Sequence, residues 1–190
     1  LADVVITRDS DSVAIISNAE TVKANVDLIP GVAASSLRSY GDGLTVLFGD
    51  KPLRTDRLLG IDVSDESQTT RLATTIIEGR FLSENDPADK VVVGLTFADA
   101  VVQGPFDKDR VAVGESITVI TSDGEAKKYE IQGIIDAKTF VPNLYVIFQK
   151  QELEQISVGQ KNSEIVVRAE SSESVPTILR SVKRLYPDPV

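Results

Sequence analysis

The chain is predicted to be an α+β domain, and three observations in its 190 residues predict it. Its elements are segregated: strand, helix and strand at the start, β-prone runs through the middle, then strand, helix, strand and helix at the end. Asp123-Gly124 sits between two β-prone runs, a strong hairpin signal because both residues tolerate positive φ. Apolar residues make up 42% of the chain and charged residues 26%, enough to build a core and too little charge for a disordered chain. Length alone allows one or two domains.

Asp3-Val4-Val5-Ile6-Thr7 and Val13-Ala14-Ile15-Ile16 are short β-prone runs. Ser17 and Glu20 have capping-box spacing, and Val22, Val26 and Ile29 then recur at helical intervals until Pro30-Gly31 stops the pattern. Val32 to Ser39 reads as a strand. Leu44 to Phe48 and Arg57 to Ile61 are expected to pair across the turn residues Gly49-Asp50-Lys51-Pro52. Ser64 to Ala73 is polar and weakly helical.

Val91-Val92-Val93 is a short buried strand, with a small helix over residues 95–102 and a charged loop from Pro105 to Arg110. Ser116 to Thr121 and Lys127 to Ile135 flank the hairpin turn. Tyr145 to Phe148 leads into a helix at about Lys150 to Ile156, and Glu164 to Arg168 is the next strand. The final helix carries Val175, Ile178, Leu179, Val182, Leu185 and Tyr186 on one face. It accepts Pro176 in its first turn and stops at Pro187.

A formal charge of −9 argues against nucleic acid, because phosphate binding needs clustered Lys and Arg. Lys127-Lys128 and Lys183-Arg184 read as solvated faces, and neither approaches the cluster of about four to eight basic residues that holds anionic lipid. No run reaches the roughly 18 apolar residues of a membrane span. There is no Cys, so disulfides give no information on compartment. The absence of Met fits an excised or processed segment, with any targeting or membrane segment lying outside it.

Without His or Cys, Ser-His-Asp and Cys-His catalysis and the usual zinc sites cannot be built from this chain. Gly41-Asp42-Gly43 and Gly49-Asp50-Lys51 complete neither a dinucleotide fingerprint nor a phosphate loop, and both read as turns. Asp62 with Asp65 and Glu66, Glu84 with Asp86, and Asp107 with Asp109 have oxygen ligands for a hard cation but none of the calcium-loop spacing. No Trp is present to stack on a sugar, and no motif nominates a nucleophile. The expectation is no catalytic residue, no cofactor and no metal. Phe140, Val141, Pro142 and Leu144 form the candidate partner contact, since concentrated exposed apolar surface marks interaction sites. The alternative, and the favoured one, is that Phe140 and Tyr145 fill a core.

Several segments carry a resemblance by their order. They are Ala2-Asp3-Val4-Val5-Ile6-Thr7, Leu28-Ile29-Pro30-Gly31-Val32, Leu58-Leu59-Gly60-Ile61-Asp62-Val63-Ser64, Ile77-Glu78-Gly79-Arg80-Phe81-Leu82, Val91-Val92-Val93-Gly94 and Val113-Gly114-Glu115-Ser116-Ile117-Thr118-Val119. Tyr129-Glu130-Ile131-Gln132-Gly133-Ile134 and Leu144-Tyr145-Val146-Ile147-Phe148 complete the set. Together they resemble the extracytoplasmic core domain of MacB-like ABC transporter permeases, the group that includes FtsX-like and lipoprotein-releasing permeases.

The resemblance implies two lobes: an α/β porter-like lobe from residues 1–42 and 140–190, and an inserted β-rich sabre-like lobe over residues 43–139. It implies a non-catalytic domain on the outer face of the cytoplasmic membrane, moved by the permease's own transmembrane helices while a separate cytoplasmic ATPase hydrolyses ATP. An extracytoplasmic protein, peptide or lipoprotein would be its substrate or partner. The isolated segment is expected to be monomeric. A free-standing binding or adhesion module and a small hydrolase are the alternatives, separated from the first reading by whether membrane helices flank the segment.

Overall fold

In a computed structural model, residues 2–7, 16, 18–53, 57–100, 111–138, 141–157 and 162–186 are described. The first part holds β1 (Val4–Ile6), α1 (Ala19–Asp27), β2 (Val32–Tyr40), β3 (Thr45–Phe48), β4 (Lys51–Leu53) and β5 (Leu58–Ile61). The middle holds α2 (Val63–Thr69), β6 (Ile76–Gly79), β7 (Lys90–Gly94), α3 (Leu95–Ala100), β8 (Ser116–Ile120) and β9 (Ala126–Ile135). The last part holds β10 (Val146–Gln149), α4 (Lys150–Ile156), β11 (Asn162–Ala169) and α5 (Val175–Leu185). Helix and sheet are thus mixed, as an α+β class requires. No helix among these residues is long and apolar enough to cross a membrane.

The strands join into one 11-stranded sheet of order β1-β11-β2-β5-β10-β7-β9-β8-β3-β4, with β6 added on β9. Local chemistry sets part of this order. Gly124, at φ +88°, supplies the left-handed turn between β8 and β9, where its N–H donates to the Thr121 carbonyl at 2.9 Å. Glu130 then faces Ser116, and Ala126 faces Ile120. The expected pairing of Leu44–Phe48 with Arg57–Ile61 does not form. β3 turns at Gly49-Asp50 onto β4, while β5 runs antiparallel to β2 and parallel to β10. A tight turn closes the nearer pair at low entropic cost, which leaves β5 free for distant partners. β5 lies within the span 43–139, and its neighbours β2 and β10 lie outside it.

Three clusters fill the interior. Val4, Ile6, Val22, Val26, Leu37, Ile165, Val167 and Ile178 join the two end segments of the chain under α1 and α5. A second cluster packs β3, β7, β8, β9 and β10 under α3 and α4, and a third holds Leu59, Ile61, Val92, Tyr145 and Ile147. β10 divides its side chains between them: Val146 and Phe148 enter the second cluster and Ile147 the third. A strand buried on both faces reads as a continuous apolar run, and Val146-Ile147-Phe148 is one.

Two helices differ from expectation, α1 in its start and α5 in its buried face. α1 starts at Ala19 behind Asn18, whose backbone is left-handed and whose side chain makes no cap bond, and Ser17 lies outside the described residues. The face of α5 is narrower than its periodicity suggests: Ile178 is buried, while Leu179 and Leu185 are exposed. Tyr186 accepts from Asn25 Nδ2 through its hydroxyl at 2.8 Å, tying the end of α5 to α1. Residues 13–15 of the second expected strand, residues 101 and 102 of the expected helix and the Pro105–Arg110 loop also lie outside the described residues.

Candidate functional site

One face of β2 and β11 is polar, and α2 explains how that is tolerated. Asp62 ends the β5 segment as the N-cap of α2, its Oδ1 accepting the Asp65 N–H at 3.0 Å. One turn further, Glu66 points inward and is 1% exposed. Its carboxylate accepts from Arg38 Nη2 at 2.6 Å, Arg38 Nε at 3.1 Å, Ser36 Oγ at 3.0 Å and Thr70 Oγ1 at 2.6 Å. Arg38 Nη1 also donates to Glu164 at 3.2 Å, and the Tyr40 hydroxyl donates to Glu164 at 2.9 Å. Register places Arg38 opposite Glu164 across the β2–β11 ladder.

Burial alone would lower the Arg38 pKa, but the hydrogen bonds and charge of Glu66 outweigh it and hold the guanidinium above its ordinary value. Burial would likewise raise Glu66, and Arg38, Thr70 and Ser36 together keep it below the ordinary carboxylate value. Burial, followed by the charge of Glu164, pushes Tyr40 up. Every member of this cluster is committed to another. Such a network fixes α2 on the sheet and offers no activated nucleophile.

Beside it lies a groove of about 320 Å³, whose lining includes Val5, Leu72, Pro142 and Val166 together with Arg38 and Arg71. A polar cleft of about 310 Å³ adjoins it through shared residues Thr70 and Arg71, and adds Asp3, Thr69 and Arg168. These arginines were not singled out by the sequence reading. They stand far apart in the chain, and only the packing of α2 against β11 brings them to one cavity. The basic runs that did attract notice, Lys127-Lys128 and Lys183-Arg184, lie exposed.

Of the candidate partner residues, Phe140 lies outside the described residues. Val141 is exposed, while Pro142 and Leu144 are half-buried in a 3-10 turn. Tyr145 is buried in the third cluster, which is the part of the core reading that the described residues reach. The turn is held from below. A Cβ on Gly94 would stand 2.3 Å from the Asn143 carbonyl carbon and oxygen, so only glycine lets β7 approach this closely. Asn143 Oδ1 accepts the Ala137 N–H at 2.8 Å, and its Nδ2 donates to Asp136 at 3.0 Å.

The Lys138 side chain, then Asn143 and the Lys138 N–H, lower the Asp136 pKa from 3.8 to about 2. A depressed carboxylate stabilises the fold above its unfolded pKa and loses that contribution as pH falls toward the folded one. Asp136→Asn should therefore flatten the acid side of the stability profile between the unfolded value of about 4 and the folded value, with little further change above it. Urea titrations across that window check this, and an unchanged slope would count against the role assigned to Asp136.

Two of the remaining carboxylates weighed as cation ligands have protein partners. Asp65 pairs with Lys23 at 3.1 Å, and Asp86 pairs with Arg80 at 2.6 Å while accepting from Gln132 at 2.8 Å. Glu84 is exposed, and Asp107 and Asp109 lie outside the described residues. Among the described residues no three His, Cys, Asp or Glu side chains gather as metal ligands.

The sequence model of the MacB-like periplasmic core domain family matches residues 2–185. A search of curated proteins finds no match. Among solved structures, the extracellular domain of the noncanonic ABC-type transporter YknZ from Gram-positive bacteria is similar at 14% identity and a TM-score of 0.60, covering 97% of this chain and 94% of that one. The periplasmic region of MacB from Actinobacillus actinomycetemcomitans is similar at 14% identity and a TM-score of 0.62, covering 97% and 84%. A domain of a putative permease protein from Porphyromonas gingivalis gives 15% identity and 0.51, covering 96% and 82%. At these identities the structures share the fold.

Proposed function

The chain belongs to the MacB-like periplasmic core domain family of ABC transporter permeases, and from that premise we propose that it is non-catalytic and couples movement of the permease helices to the handling of a partner outside the membrane. The family implies membrane helices and an ATPase as working partners. One observation carries the coupling: Val4 and Ile6 from the first strand share a core with Ile178, Val182 and Tyr186 of the last helix. Force arriving at either end segment therefore acts on one packed body, as rigid-body transmission requires. On this reading residues 1–42 and 140–190 form the lobe that is moved, and 43–139 the lobe it carries. Val141, Pro142 and Leu144 contribute to the partner contact, supported by the exposure of Val141 and the place of Pro142 in the groove wall.

The test uses the full-length permease with its ATPase. Flexible linkers of about ten Gly/Ser residues, inserted before residue 2 and after residue 186, should leave ATP hydrolysis nearly intact and abolish export or partner handling, because a random coil transmits no torque. Export at the unmodified rate in the linker variant would sink the proposal.

A further inference from the structure

We propose that the Arg71–Arg168 cleft, together with the apolar groove joined to it, captures the C-terminus of a peptide whose last side chain is apolar. The chain carries −9, and Arg38, Arg80, Lys23, Lys90, Lys127 and Lys150 are all held by carboxylates. Arg71 and Arg168 have no ion-pair partner among the described residues, yet both line one cavity. Asp3 shares that cavity, with its Oδ2 accepting the Ala169 N–H at 2.9 Å, and among the described lining residues one carboxylate stands against two guanidiniums. A carboxylate is the planar acceptor that guanidinium forks match.

The adjoining groove supplies the second half of the recognition. Val5 is 54% exposed there, beside Leu72, Pro142 and Val166. Its mostly apolar lining suits a hydrocarbon side chain held beside a bound carboxylate. Because Thr70 and Arg71 belong to both compartments, the bound charge and the bound apolar group must lie close together in the ligand. A C-terminal residue meets this condition, since its carboxylate and side chain branch from the same Cα, and capture of chain ends is an established mode of peptide recognition. The inference gives a chemistry to the partner in the proposed function and rests on that reading.

A fluorescein-labelled hexapeptide of Gly and Ser ending in isoleucine, titrated with the 190-residue chain and followed by anisotropy, tests it. Binding should weaken about tenfold or more when the peptide is amidated, when isoleucine is replaced by serine, and in the Arg71→Ala/Arg168→Ala variant. Both arginines are exposed, so this variant should melt with the parent protein, and Val5→Asp provides an independent loss. No binding at about 1 mM, or equal binding of the amide, overturns the proposal. Arginine-dependent association with phosphatidylglycerol vesicles without peptide binding would assign the cleft to lipid, and arginine-dependent self-association in sedimentation would assign it to a second copy. Both outcomes also overturn it. The isolated chain reports this result whatever the linker experiment gives, so failure of the peptide site and failure of the coupling role are read separately.

Discussion

Arg38→Ala should lower the unfolding free energy by about 3–5 kcal/mol, because it leaves a buried carboxylate without its counter-charge. Glu66 is 1% exposed and would keep only the Ser36 and Thr70 hydroxyls. Glu164 would also lose a donor, but it is better exposed and can recruit water. The double variant Arg38→Met/Glu66→Leu should recover most of the loss, since removing both charges also removes their desolvation cost. Arg168→Ala, an exposed neighbour on β11, serves as the control and should stay within about 0.5 kcal/mol of the parent. Equilibrium urea denaturation decides the matter. A single-variant loss below about 1 kcal/mol would show that the pair is not what fixes α2 to the sheet.

Phe148→Ala should cost a similar amount, about 3–5 kcal/mol, for an apolar reason. The ring is fully buried in the middle of β10 and stands edge-on to Tyr129, with centroids 5.1 Å apart and planes at 83°. Its removal leaves a cavity between elements drawn from β7, β9 and α4, and Tyr129 cannot easily move to fill it because its hydroxyl donates to Glu152 at 2.6 Å. Phe148→Leu preserves most of the volume and should lose about 1.5 kcal/mol or less. Equal losses in the two variants would mean that edge-on ring contact, not volume, dominates the site.

Local elements were legible because their signals are local. The β8–β9 turn is announced by Asp123-Gly124, and α4 and α5 by spacing and by Pro176. Long-range pairing was not. Nothing within Leu58–Ile61 distinguishes a hairpin partner from a central strand, and the parallel match to β10 depends on residues more than eighty positions away. The candidate site divided in the same way. Val141 and Pro142 were singled out because apolar residues around a proline stand out, and the structure shows only that Val141 is exposed and Pro142 half-buried. Glu66 was weighed only as a cation ligand beside Asp62 and Asp65, because burial of a carboxylate leaves no mark in a single sequence. The available signal lay in β2, where Ser36, Arg38 and Tyr40 alternate with Ser35, Leu37 and Ser39. Polar residues on both faces of a long strand imply that something polar covers it.

The pairing of β1 with β11 also joins the start of the chain to its end. Val4 aligns with Val167, and β2 receives β11 along nearly its whole length, so two of the earliest strands wait for one of the last. Contacts this distant in sequence slow the search for the native state. Until β11 arrives, one flank of β2 keeps its backbone donors and acceptors unmatched, a template for pairing with other chains. During synthesis β2 therefore emerges long before the strand that covers this flank, and pairing with other chains is most favoured in that interval.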